Sequence, residues 1–142
     1  MSLRENKELA RRLFDEVWSR GRLELASDLL VPDFVGRAGG LGDAFHGPSG
    51  AQEFIGGLRR AFPDLTFEVA DLIGERDLVA ARWTARGTNH GEFMGMPPTG
   101  RRIALDGMTI QRVQDGRIVE GWMQPDAMSL VRQIAVSEPD QA

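Results

Sequence analysis

Leu9, Ala10, Leu13, Phe14, Val17 and Trp18 recur at steps of one, three and four, which places them on one face of an amphipathic helix. Gly21 stands where a glycine commonly ends such a helix. A shorter helix follows with Leu23, Ala26, Leu29 and Leu30 turned inward, and Pro32-Asp33 break it. Phe34-Val35 begins a short strand, and residues 36–47, GRAGGLGDAFHG, read as a glycine-rich loop. Pro48 suits the first turn of a third helix, whose stripe is Ala51, Phe54, Ile55, Leu58 and Phe62. From Leu65 the pattern changes to alternation. Leu65, Phe67 and Val69 alternate with Thr66 and Glu68, and Val79, Ala81, Trp83 and Ala85 with Arg82, Thr84 and Arg86. MGMPPTGR at 94–101 is a Pro/Gly loop, and QDGR is a tight turn between the strands RIALDGMTIQRV and IVEGWMQ. DAMSLVRQI closes the chain as a helix with Asp126 at its N-cap. Helices first and an antiparallel meander afterwards is an α+β order, with the helices packed on one face of a curved sheet. Residues 1–136 form one domain in this reading, and 137–142 a polar, frayed tail.

Composition narrows the function classes. A chain of 142 residues with net charge -4 fits one domain and does not recruit nucleic acid by basic charge. No cationic amphipathic run suggests a membrane surface, and the apolar runs fall short of a transmembrane span. The charged N-terminus lacks the apolar region of a signal peptide, so a reducing, cytoplasmic setting is expected. There is no Cys, hence no thiolate nucleophile or thiolate metal site. His46 and His90 are the only histidines, too few for a His-rich metal centre, and Tyr is absent. No P-loop or dinucleotide fingerprint is visible. The expectation is no cofactor and no metal.

Four stretches carry a family resemblance: ELARRLFDEVWSRGRLELASDLLVPDFV, FHGPSGAQEFIGGLRRAFPDLTFEV, WTARGTNHGEFMGMPPTGRRI and DGRIVEGWMQPDAMSLVRQ. Together, over residues 4–135, they resemble the SnoaL-like polyketide cyclases, or ester cyclases, of the nuclear transport factor 2-like superfamily. The resemblance implies a cone-shaped domain in which a strongly curved mixed or antiparallel sheet wraps a deep pocket and the N-terminal helices close it. It also implies a hydrophobic small molecule as partner and a homodimer formed through the sheet. The superfamily hosts cyclases, hydroxylases, dehydratases, epoxide hydrolases and non-enzymatic binders, so fold alone does not assign the reaction. In the characterised aromatic cyclases an Asp on the last strand, two residues after a His, takes a proton from an activated carbon, which then closes a ring onto a carbonyl. A second His lies on the preceding strand, and no cofactor is used. Aligned on DGRIVE, these positions are Met123, Gly121 and Thr109 here. None of the three is a carboxylate or an imidazole. The implied function is a hydrophobic pocket protein, a cofactor-free cyclase, lyase or isomerase if other residues move the proton. A non-catalytic binding or accessory domain is the alternative, and an epoxide hydrolase a minor one. Whether the chain is an enzyme stays open at this point.

Each candidate residue has a chemical and a plain reading. Asp126 is a candidate base, or only a helix cap. His46 in the glycine-rich segment is a candidate base or ligand contact, or a loop His bonded to backbone. His90 lies one place after the position where relatives often carry a His, and a one-residue shift on a strand changes face. Arg37 suits a bidentate carboxylate clamp, or exposed loop surface. Trp18 and Trp83 wall the pocket floor, or simply fill core. Alternation with the family alignment puts Leu105, Gly107, Thr109, Gly121 and Met123 on the pocket face, with Thr109 and Gln111 placed to orient a ligand. That lining is small, apolar and soft, which suits an aromatic or acyl compound. Asp106, Met108, Ile110 and Trp122 take the outer face. Arg82, Asp106 and Asp71 are the residues an Asp–Arg–Asp epoxide-hydrolase arrangement needs, or else a structural cross-strand pair.

Overall fold

The computed structural model describes residues 2–135, so the expected tail at 137–142 lies outside the described residues. Helix α1 spans Leu3–Arg12 and opens with a capping box: the Ser2 hydroxyl accepts from the Glu5 N–H, and the Glu5 carboxylate accepts from the Ser2 N–H, both at 3.1 Å. The helix does not continue as expected. Leu13–Ser19 is a π-helix, and it closes with the Arg20 N–H donating to the Asp15 carbonyl at 3.2 Å. The wider turn buries Leu13, Phe14, Val17 and Trp18 together. Steps of three and four do not distinguish the two helix types, which is why periodicity alone missed it.

A 3-10 turn at Leu23–Leu25 and a short α2 at Ala26–Leu29 lead into β1, Leu30–Ala38. Here the sequence reading needs correction. The strand starts before Phe34, and Gly36–Ala38 belong to it rather than to a loop. Pro32 is tolerated because the register of β1 shifts between Leu30 and Val35, and strand prolines are confined to such irregularities and to edges. β2 (Phe45–His46) pairs antiparallel with β1, and α3 (Gly47–Ala61) follows with Pro48 in its first turn. β3 (Thr66–Glu75), β4 (Leu78–Thr88), β5 (Arg102–Gln114) and β6 (Arg117–Pro125) form the meander, and α4 (Ala127–Ala135) ends it. The sheet order is β2-β1-β6-β5-β4-β3. β1 runs parallel to β6 and every other pair is antiparallel, so the sheet is mixed. Register shifts at Val69/Asp71 and Arg112/Val113 mark bulges, which bend strands and increase twist. No helix among the described residues is long and apolar enough to cross a membrane.

Rings hold the sheet to the helices. Trp83 meets Phe67 at 4.8 Å, and Phe67 meets Trp18 at 5.2 Å, both edge-on. Trp18 meets Phe54 at 6.1 Å, and Phe54 stacks on Phe45 at 4.5 Å. Such pairs contribute about 0.5–1.5 kcal/mol each beyond the area they bury. Arg59 of α3 then ties three segments through backbone carbonyls. Its guanidinium donates to the carbonyls of Trp18, Ser19 and Leu65 at 2.9 Å and of Pro63 at 3.1 Å. Gly21, with φ of 73°, leaves it room: a Cβ there would lie 2.6 Å from the Arg59 Nε.

Arg59→Ala should therefore destabilise the fold by about 2–4 kcal/mol in urea unfolding, because hydrogen bonds to a charged group are lost and carbonyls are left bare. Arg59→Lys should recover only part, since an ammonium cannot span these carbonyls. A loss under about 0.5 kcal/mol for the alanine variant would refute the assignment. A second test concerns acid. Asp64 accepts from the Thr88 hydroxyl at 2.7 Å and from its N–H at 2.6 Å. These bonds, the hydroxyl's foremost, hold its carboxyl below the usual range. The stabilisation is present above the ordinary carboxylate pKa and is lost as pH falls through the lowered one. Asp64→Asn should flatten the fall of Tm with acid below about pH 4.

Candidate functional site

Two small voids lie between the helices and the concave face of the sheet. The inner pocket is enclosed by Leu13, Phe14 and Trp18 of the π-helix and by Ala51 and Ile55 of α3. Leu30, Phe34, Gly36 and Arg37 from β1, with Phe45 of β2, form its wall, and Thr109, Gln111, Gly121 and Met123 its sheet floor. About 30 Å³ is open to the centre of a water molecule, room for one or two waters. The second void, also about 30 Å³, is lined by Leu41, Leu58, Phe62, Leu65, Phe67, Trp83, Ala85, Ile103, Leu105, Pro125 and Leu130, with Met123 again. Met123 is thus a shared wall, and its unbranched thioether is the kind of side chain that repacks most easily.

The polar groups of the inner pocket are few. The Trp83 indole N–H donates to the Thr109 hydroxyl at 2.9 Å, which satisfies the indole in the core. Gln111 is 4% exposed, and its Oε1 has no hydrogen-bond partner among the described residues. Gln111 faces Gly121 across β5 and β6, and a Cβ on Gly121 would only reach ordinary contact with Phe34 at 3.7 Å.

Leu105, Gly107, Thr109, Gln111, Gly121 and Met123 all occupy the concave face, but they divide. Leu105 serves the second void, and Gly107 lies beneath the Trp83 indole, with no space for a Cβ. Trp18 walls the inner pocket, and Trp83 walls the second. Arg37 is not a clamp inside the pocket. Its guanidinium sits on the convex side, 3.6 Å from the Glu120 carboxylate and 5.9 Å from the Trp122 ring centre. His46 is exposed, and its neighbour Phe45 is the residue that turns inward. His90 is exposed outside both voids, its N–H donating to the Ala61 and Thr88 carbonyls at 3.0 and 2.9 Å. Asp126 caps α4, its Oδ1 accepting from the Ser129 N–H at 3.1 Å. The structure does not bring His46 and Asp126 together. His46 pairs with Val35, which pairs with Glu120, and Asp126 lies six residues further along, roughly 20 Å at the rise of a strand. The Asp–Arg–Asp arrangement fails as well. Arg82 bonds Asp71 at 2.7–2.8 Å on the exposed face, while Asp106 accepts from the Thr84 hydroxyl at 2.8 Å.

Sequence reasoning missed Phe14, Phe34 and Phe45 as lining. A signal for Phe45 existed: it is the aromatic in the glycine-rich segment, and Gly36 opposite it has no Cβ because the Phe45 ring occupies that space.

A bent mixed sheet closed by helices over an apolar hollow defines the nuclear transport factor 2-like fold. Within it, the family model of the SnoaL-like polyketide cyclases matches residues 8–134, and the chain belongs to that family. It is 29% identical over 125 residues to the nogalonic acid methyl ester cyclase of Streptomyces nogalater, covering 87% of this chain and 92% of that one. IdmH of Streptomyces antibioticus, a candidate polyketide cyclase, superposes with TM-score 0.79 at 37% identity, over 92% of this chain and 99% of that one. AclR of Streptomyces galilaeus, a candidate hydroxylase, gives 0.82 at 30% identity, over 98% and 87%.

Met123→Ala should join the two voids. We expect it to lower stability by about 2–4 kcal/mol and to make the variant gain more Tm from added indole than the wild type does. Indole that fails to raise the variant's Tm would show that the voids do not merge.

Proposed function

We propose that this protein binds and orients a neutral, mostly apolar carbonyl compound of the polyketide type in the inner pocket, and that it supplies no side-chain base. The carrying observation is the lining. Aromatic and aliphatic side chains surround Thr109 and Gln111, and the places of the family's Asp and two His hold Met123, Gly121 and Thr109. Relatives named as cyclases suggest the ligand class. With this lining the chain's part in a ring closure is to hold the ligand folded and dry. The same residues serve a carrier that performs no reaction, the reading favoured by the missing base. His46 and Asp126, exposed and far apart, support proton transfer poorly.

A thermal-shift screen of aromatic polyketides, acyl esters and small keto acids tests this. A ligand at about 100 times its Kd adds roughly 2.7 kcal/mol, a rise of about 5–15 °C for this size. Affinity, and any turnover, should stay flat from about pH 5.5 to 8.5, because no imidazole or carboxylate lines the pocket. A bell-shaped profile, or no shift with any compound, would overturn the proposal.

The reading includes a second copy of the chain as partner. Ile73, Ala80, Ile110 and Trp122 stand in register as one apolar row across the convex face, with Ile73 66% and Ile110 44% exposed. Sedimentation should show a dimer, and Ile110→Glu a monomer with an unchanged fold. A wild-type monomer at micromolar concentration would remove this partner.

A further inference from the structure

Gln111 is a buried amide that the fold does not use. It sits on β5 between the Arg112 ion pairs on one side of the sheet and the inner pocket on the other, and its side chain lies on the pocket side. Its nearest polar neighbour in the lining, Thr109, already accepts from Trp83. Oε1 is buried without a donor, although buried acceptors are nearly always paired. Gly121 opposes it across the strands, and the place of the missing Cβ is bounded by Phe34 and the Gln111 Cγ, not by a donor. A donor brought by a ligand is the partner this acceptor lacks.

We propose that Gln111 is the specificity-determining residue of the pocket and that it selects hydroxylated ligands, a phenol or an enol, whose O–H donates to its Oε1. The inference rests on the pocket reading above and adds the functional group recognised. A neutral hydroxyl fits better than a carboxylate. An anion would face the amide oxygen without a compensating cation, since the Arg37 guanidinium lies on the convex side with Glu120. The aromatic walls, Trp18, Phe34 and Phe45, take the apolar body of the ligand. Thr109 has its oxygen taken by the Trp83 N–H and meets a ligand as a donor, the complement of Gln111 Oε1. A role for Gln111 in folding predicts that removing its amide destabilises the protein. A role in recognition predicts the reverse, since an unpaired buried amide is replaced by a side chain that packs.

The test uses the full chain, with 1-naphthol and 1-methoxynaphthalene as probes in calorimetry, alongside the melting temperature of each variant without ligand. Wild type should bind 1-naphthol at least about tenfold more tightly than its methyl ether, the discrimination expected when a site's polar group is left unpaired by the analogue. Gln111→Met should bind the two equally and melt at least about 2 °C higher than wild type. Gln111→Glu, which keeps an acceptor, should retain the preference at a pH where the carboxylate is ionised. Equal binding of both probes by wild type would overturn the assignment of Gln111 while leaving the pocket intact. So would a tenfold preference that survives in Gln111→Met, or a fall in its Tm. Binding of neither probe to wild type would overturn the pocket reading and this inference with it.

Discussion

The placement of Trp83 sets the conditions for the rest of the interior. Its indole is among the largest fully buried side chains, and it carries one polar atom that needs an acceptor. Both requirements are met within the sheet. Across β4 and β5, Gly107 opposes Trp83, so the ring lies over a position with no side chain. Two residues on, Thr109 presents its hydroxyl to the indole N–H. From that fixed ring the aromatic contacts run through Phe67 to Trp18, and thus bind the sheet to the π-helix. The same ring lines the second void behind Met123, which stands between that void and the inner pocket.

The voids and the orphaned amide are stability given up inside an otherwise dense core. An unpaired buried acceptor costs about 1–3 kcal/mol, against a typical total of about 5–15 kcal/mol for a domain. The Arg59 guanidinium works in the other direction, satisfying carbonyls at the end of the π-helix and at the entry to β3. The π-helix is thereby anchored to α3 and to the entry of β3. Met123, by contrast, is a soft wall of the inner pocket that takes no part in that anchor.

Alternation made β5 and β6 legible in the sequence. Odd positions from Ile103 to Val113 are buried or inward and even ones outward, so Thr109, Gln111, Gly121 and Met123 were placed from parity and the family alignment. The bulge at Val119 lies before Glu120 and leaves that parity intact through Met123. Other features were not legible. A π-helix and an α-helix share their apolar steps, and β1 is masked by Pro32, whose cost is absorbed by a register shift that only strand pairing reveals. For Arg37 the sequence left a clamp and exposed surface both open, because a glycine-rich run gives no parity to count from. Once Gly36 is known to pair with Phe45 and Gly121, its neighbour Arg37 must face out, beside Trp122.

The site shows how one scaffold separates geometry from chemistry. Strand register still delivers positions 109, 121 and 123 to one concave patch, since Thr109 opposes Met123 and Gln111 opposes Gly121. The residues there set volume and softness in place of charge. Restoring an acid–base pair would not be a local change. An imidazole at position 109 would have to replace the acceptor that Trp83 now uses, and a carboxylate at 123 would stand in a wall between two apolar voids, where burial raises its pKa. The indole, Gly107 and Thr109 therefore form one unit with the apolar character of Met123. The Gln111 amide oxygen lies outside that unit, buried and without a partner among the described residues.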